Sequence, residues 1–258
     1  MDILHRLVEI VSGGGSCVLA TVVAARGSVP RGPGARMLVA ADGSRTGTVG
    51  GGEIEDAVLA RARELLARPE EGTAAIEVDA KCGGIATIFL ERFGPPRSLV
   101  VVGAGHVGVA VAQAAARAGF VVTVLGRARG GELDDDDAIT TADASDPGAL
   151  AALPRAGGAQ LIVATGSQEA DAAWAVAGLR AGFAGVGVVG SRAKAAAVEA
   201  AAQSAGVPPE RLARLRCPVG LDLGAVTPAE IALAIVAELL VLARRGEVPG
   251  EWRKRSRG

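Results

Sequence analysis

Residues 98–119 read SLVVVGAGHVGVAVAQAAARAG, and this stretch decides the fold. Ser98 to Val102 reads as a strand, and its apolar run Leu99 to Val102 is the mark of one covered on both faces rather than one with a wet side. Gly103-Ala104-Gly105-His106-Val107-Gly108 follows at once and opens an apolar helix, Val107 to Ala118. A GxGxxG turn between strand and helix lets a phosphate approach the backbone N–H groups at the helix N-terminus. The pattern repeats downstream. Val121 to Leu125, Leu161 to Ala164 and Val186 to Val189 read as strands, with helices after the last two (the first of these near Ala172 to Ala181) and a closing helix over Pro228 to Ala243. Strands alternating with helices predict a parallel, doubly wound sheet.

Upstream the grammar differs. Leu4, Leu7, Val8 and Val11 recur at helical spacing, and Gly13-Gly14-Gly15 ends that helix. Cys17 to Ala25 reads as a strand and Arg26 to Ala35 as a Gly/Pro-rich loop. Met37 to Ala41 and Thr46 to Val49 form a hairpin about Asp42-Gly43. Gly50-Gly51-Gly52 leads into a helix whose apolar side is Ile54, Val58, Ala62 and Leu65. Strands at Ala75 to Val78 and Ala86 to Leu90 flank a turn at Lys81-Cys82-Gly83-Gly84. Hairpins mixed with helices make this part α+β. Phe93 to Arg97 is the natural linker. The expected organisation is therefore α/β overall: an α+β domain over residues 1–96, a Rossmann-like doubly wound domain over 97–245, and a flexible, basic, Trp-containing tail over 246–258.

Composition narrows the function. Lys+Arg 27 against Asp+Glu 28 leaves no basic excess for nucleic acid, and Phe 4 with Trp 2 leaves little for base stacking. Tyr 0 removes the general acid of short-chain dehydrogenases, and His 2 argues against an ordinary zinc site or a Ser-His-Asp triad. Cys17, Cys82 and Cys217 are odd in number and widely spaced, which points to a reducing, cytoplasmic setting rather than a disulfide framework. The start lacks the basic and apolar regions of a signal peptide. The longest apolar run, Ile231 to Ala243, is broken by Glu238 and too short to cross a membrane.

In the second domain Gly103, Gly105 and Gly108 form the phosphate turn, and His106 sits at its rim as a hydrogen-bonding imidazole or as a plain helix start. The acid that would hold the ribose of NAD is missing: Gly126 stands at the end of the second strand, followed by Arg127, Ala128 and Arg129. NAD is thus disfavoured, and the arginines suit a 2′-phosphate, another phosphorylated ligand, or simple solvation.

In these motifs taken together, the chain resembles the XdhC/CoxI accessory proteins of molybdenum hydroxylases such as xanthine dehydrogenase. The resemblance is carried by ATVVAARGSVPRGPGARMLV, GTVGGGEIEDAV, KCGGIATIFLE, VVVGAGHVGVAVA, VVGSRAKAAAV and RCPVGLDLGAVTPAEIALAIVAELL, in that order. It implies a non-enzymatic chaperone that binds the molybdenum cofactor (molybdopterin or its cytosine dinucleotide form). The cofactor is held while a cysteine desulfurase sulfurates it, then handed to the apo-hydroxylase. It also implies a homodimer. The chain departs from the family pattern at Gly126, where relatives commonly carry an acid, at Gly166, often histidine, and at Glu53, often small or cysteine.

Under that resemblance, Cys82 is a candidate molybdenum ligand or persulfide carrier, set beside Lys81 and bare glycines, or else a small apolar residue; Cys17 reads as core. Gly50, Gly51 and Gly52 resemble an anion turn, yet Glu53, Glu55 and Asp56 oppose a phosphate there. Glu55 is instead expected to accept from the amino and ring N–H edge of a pterin, with helix capping as the alternative. Arg26, Arg31 and Arg36 surround the first loop as phosphate forks or as solvated side chains. Ser191 and Arg192 are expected at the ligand crevice, Ser191 also being a helix cap, and Asp222 in the Cys217 to Gly224 loop is a further acceptor. Asp134 to Asp137 reads as a solvated run. Thr227-Pro228-Ala229-Glu230 is a capping box assigned to stability, and Ile231, Ile235 and Leu239 form a core or dimer face. The expected ligand position is between the domains. The rival readings are an NAD(P)-dependent oxidoreductase and a ligand-sensing regulatory subunit.

Overall fold

The computed structural model describes residues 2–68, 72–126, 133, 136–153 and 158–252, and the chain divides into two compact units that meet at Pro95 and Pro96. Unit 1 contains α1 (Ile3–Ser12), β1 (Cys17–Arg26), β2 (Arg36–Ala40), β3 (Arg45–Gly47), α2 (Gly52–Ala67), β4 (Thr73–Asp79) and β5 (Ile85–Phe93). Its strands form one antiparallel sheet in the order β3-β2-β1-β5-β4. The first half of β1 is apolar because it is covered on both faces. Val18, Ala20 and Val22 pack in the cluster that holds Ile54, Val58, Ala62 and Leu65 of α2. Cys17 and Leu19 point the other way, toward Ile3, Leu7, Ile10 and Val11 of α1. Cys17 is therefore core, and burial pushes its thiol pKa up.

Unit 2 contains β6 (Arg97–Val102), α3 (His106–Arg117), β7 (Phe120–Leu125), β8 (Ile139–Ala142), β9 (Gln160–Val163), α4 (Gln168–Ala181), β10 (Gly185–Val188), α5 (Arg192–Ser204), α6 (Pro209–Leu212), β11 (Leu215–Arg216) and α7 (Pro228–Arg245). All pairings are parallel, in the order β11-β10-β9-β6-β7-β8. Counted from β6, this is the 3-2-1-4-5-6 order of dinucleotide-binding sheets. The continuous run of β6 divides by parity: Leu99 and Val101 face α3 and α7, while Val100 and Val102 face the α4 and α5 layer. Each such buried side chain contributes roughly 1.5–3 kcal/mol relative to exposure.

The expected strands and helices form with ends shifted by a few residues. β8, β11, α6 and the 3-10 turn Pro147–Ala152 are additions. Ile235 and Leu239 are core within the α3–α7 cluster, and Ile231 packs at its margin. Of the tail expected to be flexible, residues 253–258 lie outside the described residues. Within 246–252 most side chains are exposed, but Val248 is buried, Arg245 stacks on the Trp252 ring, and the Trp252 carbonyl accepts from the N–H of Asp222. Among the described residues no helix is long and apolar enough to cross a membrane.

The capping box of α7 forms in full. Thr227 Oγ1 accepts from the N–H of Glu230, and Glu230 Oε2 accepts from the N–H groups of Thr227 and Val226. Thr227→Ala is expected to lower stability by about 1 kcal/mol, read from the urea midpoint. The backbone N–H groups hold the Glu230 carboxyl below its ordinary pKa. Its contribution is therefore present above the ordinary glutamate value and fades as pH falls through the lowered folded one.

Candidate functional site

Three loops of unit 1 converge at the N-terminus of α2. The turn at 80–84 is closed by Ala80 N–H to the Gly84 carbonyl at 2.7 Å and Gly83 N–H to the Ala80 carbonyl at 2.8 Å. It lies hard against the 26–35 loop: a Cβ on Gly84 would stand 2.2 Å from the Ser28 carbonyl oxygen, so only glycine fits. That contact carries Cys82 to the loop, where its thiol donates to the Ser28 carbonyl at 2.8 Å. The third member is the Gly50-Gly51-Gly52 turn. Pro30, the three glycines, Glu53 and Cys82 line a cavity of about 220 Å³. The thiol and the triple glycine, 30 residues apart in the chain, thus share one concave site.

The acids divide their roles in a way the sequence did not show. Glu55, expected to face a ligand, is turned onto its own loop. Its Oε1 accepts from Thr48 Oγ1 at 2.5 Å and from Gly51 N–H at 3.2 Å, and Arg45 lies 3.9 Å from Oε2. Glu55 is thus engaged as the buttress of the triple-glycine turn and is not in the cavity lining. Glu53 lines the cavity instead, 3.2 Å from Lys81 Nζ. Both side chains of that pair are more than half exposed, so it contributes little to stability. Arg26 pairs with Glu77 on an exposed surface at 3.3 Å, and Arg31 and Arg36 are exposed.

In unit 2 the GxGxxG turn has a job for each glycine. Gly103 holds φ +101, and a Cβ there would lie 2.4 Å from the Ala164 carbonyl oxygen; one on Gly108 would lie 1.8 Å from the Gly103 oxygen. These two glycines let β6, β9 and α3 approach. Gly105 is different: nothing stands within 4 Å of its Cβ position, and it is the N-cap of α3 with no side-chain cap. The first turn of α3 carries no acid, and His106 is exposed at its start. Free N–H groups and the positive helix end make this turn able to accept an anion.

Ser191 is the N-cap of α5, accepting from Lys194 N–H, and Ser167 caps α4 in the same way. Arg192 is exposed at the first position of α5. Between these caps runs a polar network that sequence reasoning missed. Asp171, 0% exposed, accepts from Thr165 N–H at 3.0 Å and Thr165 Oγ1 at 2.6 Å. Its other oxygen meets Lys194 Nζ at 2.5 Å, and Nζ also donates to the Val189 carbonyl at 3.3 Å. The loops that end β9 and β10 are thereby tied together beneath the crevice edge. The one signal was a charge one turn inside each serine-capped helix.

Asp222 is exposed beyond the loop that passes over β10, where Val219 N–H donates to the Val188 carbonyl at 3.1 Å. A second buried ion pair, Arg216 Nε to Glu238 Oε1 at 2.7 Å, joins β11 to α7, with Glu238 Oε2 accepting from Gly220 N–H. Arg127, Ala128, Arg129, Asp134 and Asp135 lie outside the described residues. Among the described residues no three His, Cys, Asp or Glu side chains are grouped to hold a metal ion.

Comparison with known proteins agrees with this architecture in both units. Residues 99–239 match the XdhC Rossmann domain, and residues 10–77 match the XdhC and CoxI family. The chain is 34% identical over 243 residues to the uncharacterized protein YqeB of Escherichia coli (strain K12), covering 90% of this chain and 44% of YqeB. It is 34% identical over 107 residues to the molybdenum cofactor insertion chaperone PaoD of the same organism, covering 39% of this chain and 34% of PaoD. It therefore spans less than half the length of these curated relatives. A crystal structure described as a xanthine dehydrogenase from Bacillus halodurans aligns with 98% of this chain and 99% of its own, with a TM-score of 0.49 and 18% identity. The Rossmann-domain match alone takes in more than half of the residues: the chain belongs to the XdhC and CoxI family.

Proposed function

We propose that the chain carries the molybdenum cofactor: it binds the pterin-dithiolene metal complex, shelters it while a cysteine desulfurase sulfurates the metal, and passes it to the apo form of a xanthine dehydrogenase-type hydroxylase. The observation that supports this reading best is the Cys82 cavity, in a chain related to a protein described as a molybdenum cofactor insertion chaperone. A thiol is the soft donor a molybdenum centre takes. At about 220 Å³ the cavity is smaller than the roughly 300–1,000 Å³ of whole-ligand pockets, so it suits the metal-dithiolene end of the cargo. Glu53, not Glu55, is the rim carboxylate placed to accept from the pterin's N–H edge. The role needs no turnover.

The test is to purify the chain from molybdate-fed cells, release the pterin and quantify it by fluorescence. One pterin per chain is expected. A chain that copurifies with no pterin, or with a nicotinamide nucleotide that it turns over, overturns the reading. Cys82→Ser is expected to weaken cofactor binding at least tenfold, about 1.4 kcal/mol. Its melting temperature should be unchanged, because the residue is exposed and serine keeps a donor for the Ser28 carbonyl.

The bare position at Gly105 favours a pyrophosphate at the turn of unit 2. The cytosine dinucleotide form of the cofactor brings that group, and so does NAD(P). Gly126 supplies no carboxylate for the 2′-hydroxyl of an NAD ribose, which disfavours NAD and leaves the cofactor's dinucleotide form and NADP as the two candidates. Titration with cytidine diphosphate and with NADP, followed by calorimetry, separates the two.

A further inference from the structure

The triple-glycine turn is held in a conformation that residues with side chains rarely adopt. Gly51 combines φ 73° with ψ 177°, a region left almost wholly to glycine. Two side chains fix it there. Thr48 Oγ1 accepts from Gly50 N–H at 3.2 Å and donates to Glu55 Oε1 at 2.5 Å, and the same Glu55 oxygen accepts from Gly51 N–H at 3.2 Å. Gly50, Gly51 and Gly52 line the Cys82 cavity, whereas Thr48 and Glu55 do not. The N–H groups of Gly50 and Gly51 are thus committed to partners outside the cavity. Nothing stands within 4 Å of the Cβ positions of Gly51 and Gly52, so a ligand can lie directly against their backbone.

We propose, on the reading that this cavity takes the metal-dithiolene end of the molybdenum cofactor, that Thr48 and Glu55 are positioning residues for that cargo. They set the shape of the turn without touching the ligand, and by taking two of its N–H groups they keep the phosphate end of the cargo out. Successive glycines ahead of a helix ordinarily cradle an anion, because their N–H groups converge on it. Here two of those donors are spent, and the first turn of α2 carries Glu53 and Glu55, which offset the positive end of the helix. A phosphate brought to the cavity would set its full charge against the Glu53 carboxylate in the lining. In the metal-dithiolene end the negative charges of the ligands are balanced by the metal, and Cys82 offers that metal a soft donor. The cargo therefore enters metal first.

The test compares the pterin held by the purified full chain with that held by variants of the pair. Thr48→Val and Glu55→Ala, which leave every cavity-lining side chain in place, are each expected to lower bound pterin by about tenfold or more. The double variant should fall no further than the worse single one, since both changes release the same turn. Thr48→Ser restores the hydroxyl and Glu55→Gln restores an oxygen that accepts from both donors, so each should recover most of the binding. A carboxylate that read the pterin itself would behave in the opposite way, sensitive to Glu55→Gln and indifferent to Thr48→Val. Alkylation of Cys82 by iodoacetamide, counted by mass spectrometry, reports on the rest of the cavity. In pterin-free chains its rate should be the same for wild type and Thr48→Val, because the thiol is held by the Ser28 carbonyl rather than by the glycine turn. Millimolar inorganic phosphate should leave that rate unchanged, whereas bound cofactor should slow it. A wild type that holds no pterin overturns the cargo reading and this proposal together. Where the wild type does hold pterin, a Thr48→Val variant that holds as much, a Glu55→Gln variant as empty as Glu55→Ala, a changed alkylation rate in Thr48→Val, or phosphate that shields Cys82 overturns the proposal alone.

Discussion

Replacing Lys194 with methionine is expected to destabilise the protein by about 3–5 kcal/mol, the loss typical of a buried pair that loses one partner. Asp171 has no access to water. It keeps the two donors of Thr165 after the substitution, but no cation remains to offset its charge. The methionine fills much the same volume, which matters because the lysine stem packs on Gly190, where a Cβ would lie 2.4 Å from its Cδ. The lost energy is then electrostatic. The double variant Asp171→Asn/Lys194→Met should recover most of the loss, since the orphaned charge is removed along with its partner. Urea denaturation followed through Trp174, buried on the same helix as Asp171, reads both. A loss below about 1 kcal/mol for Lys194→Met, or a double variant as unstable as the single one, would show that the pair is not the tie between the β9 and β10 loops.

The second large effect belongs to Gly108. A valine there places its Cβ 1.8 Å from the Gly103 carbonyl oxygen, and neither partner is free to yield. Gly103 is itself pressed onto the Ala164 carbonyl, so relief requires opening the junction of β6, β9 and α3. Overpacking that forces backbone apart exceeds the roughly 1–3 kcal/mol of ordinary core crowding. Gly108→Val is therefore expected to lower the melting temperature steeply or to leave the chain insoluble. Gly105→Ala is the control from the same motif: its φ of −79° suits alanine and its Cβ meets nothing. It should change stability by about 1 kcal/mol or less while blocking an anion from the turn. Equal damage from the two substitutions would contradict the division of labour within the motif.

Both results bear on what was legible in the residues. β6 and the turn after it could be read because a four-residue apolar run, Leu99 to Val102, and three glycines at set spacing leave one sensible local structure. β8 and β11 could not. Ile139–Ala142 presents one buried side chain, and Leu215–Arg216 is two residues long, so neither shows a period; each exists because the neighbouring strand offers its edge. Glu55 shows the same limit at the site. Its place in the first turn of α2 was plain, but whether it serves a ligand or its own loop depended on Thr48 and Gly51, which the fold returns to it. Cys82 was recognisable as a thiol in a glycine turn; that it faces Ser28 and the triple glycine was not.

Local order and layer pattern were thus written in the chain itself. Apolar runs, glycine turns and serine or threonine caps act over one to five residues, where sterics and hydrogen bonding leave few choices. The tertiary structure alone decided which charges meet and which loops enclose space. Asp171 and Lys194 stand on different helices, and Cys82 and Gly50 to Gly52 on different turns. Pairings of that kind depend on how strands cross and pack, and no short window of residues contains that information.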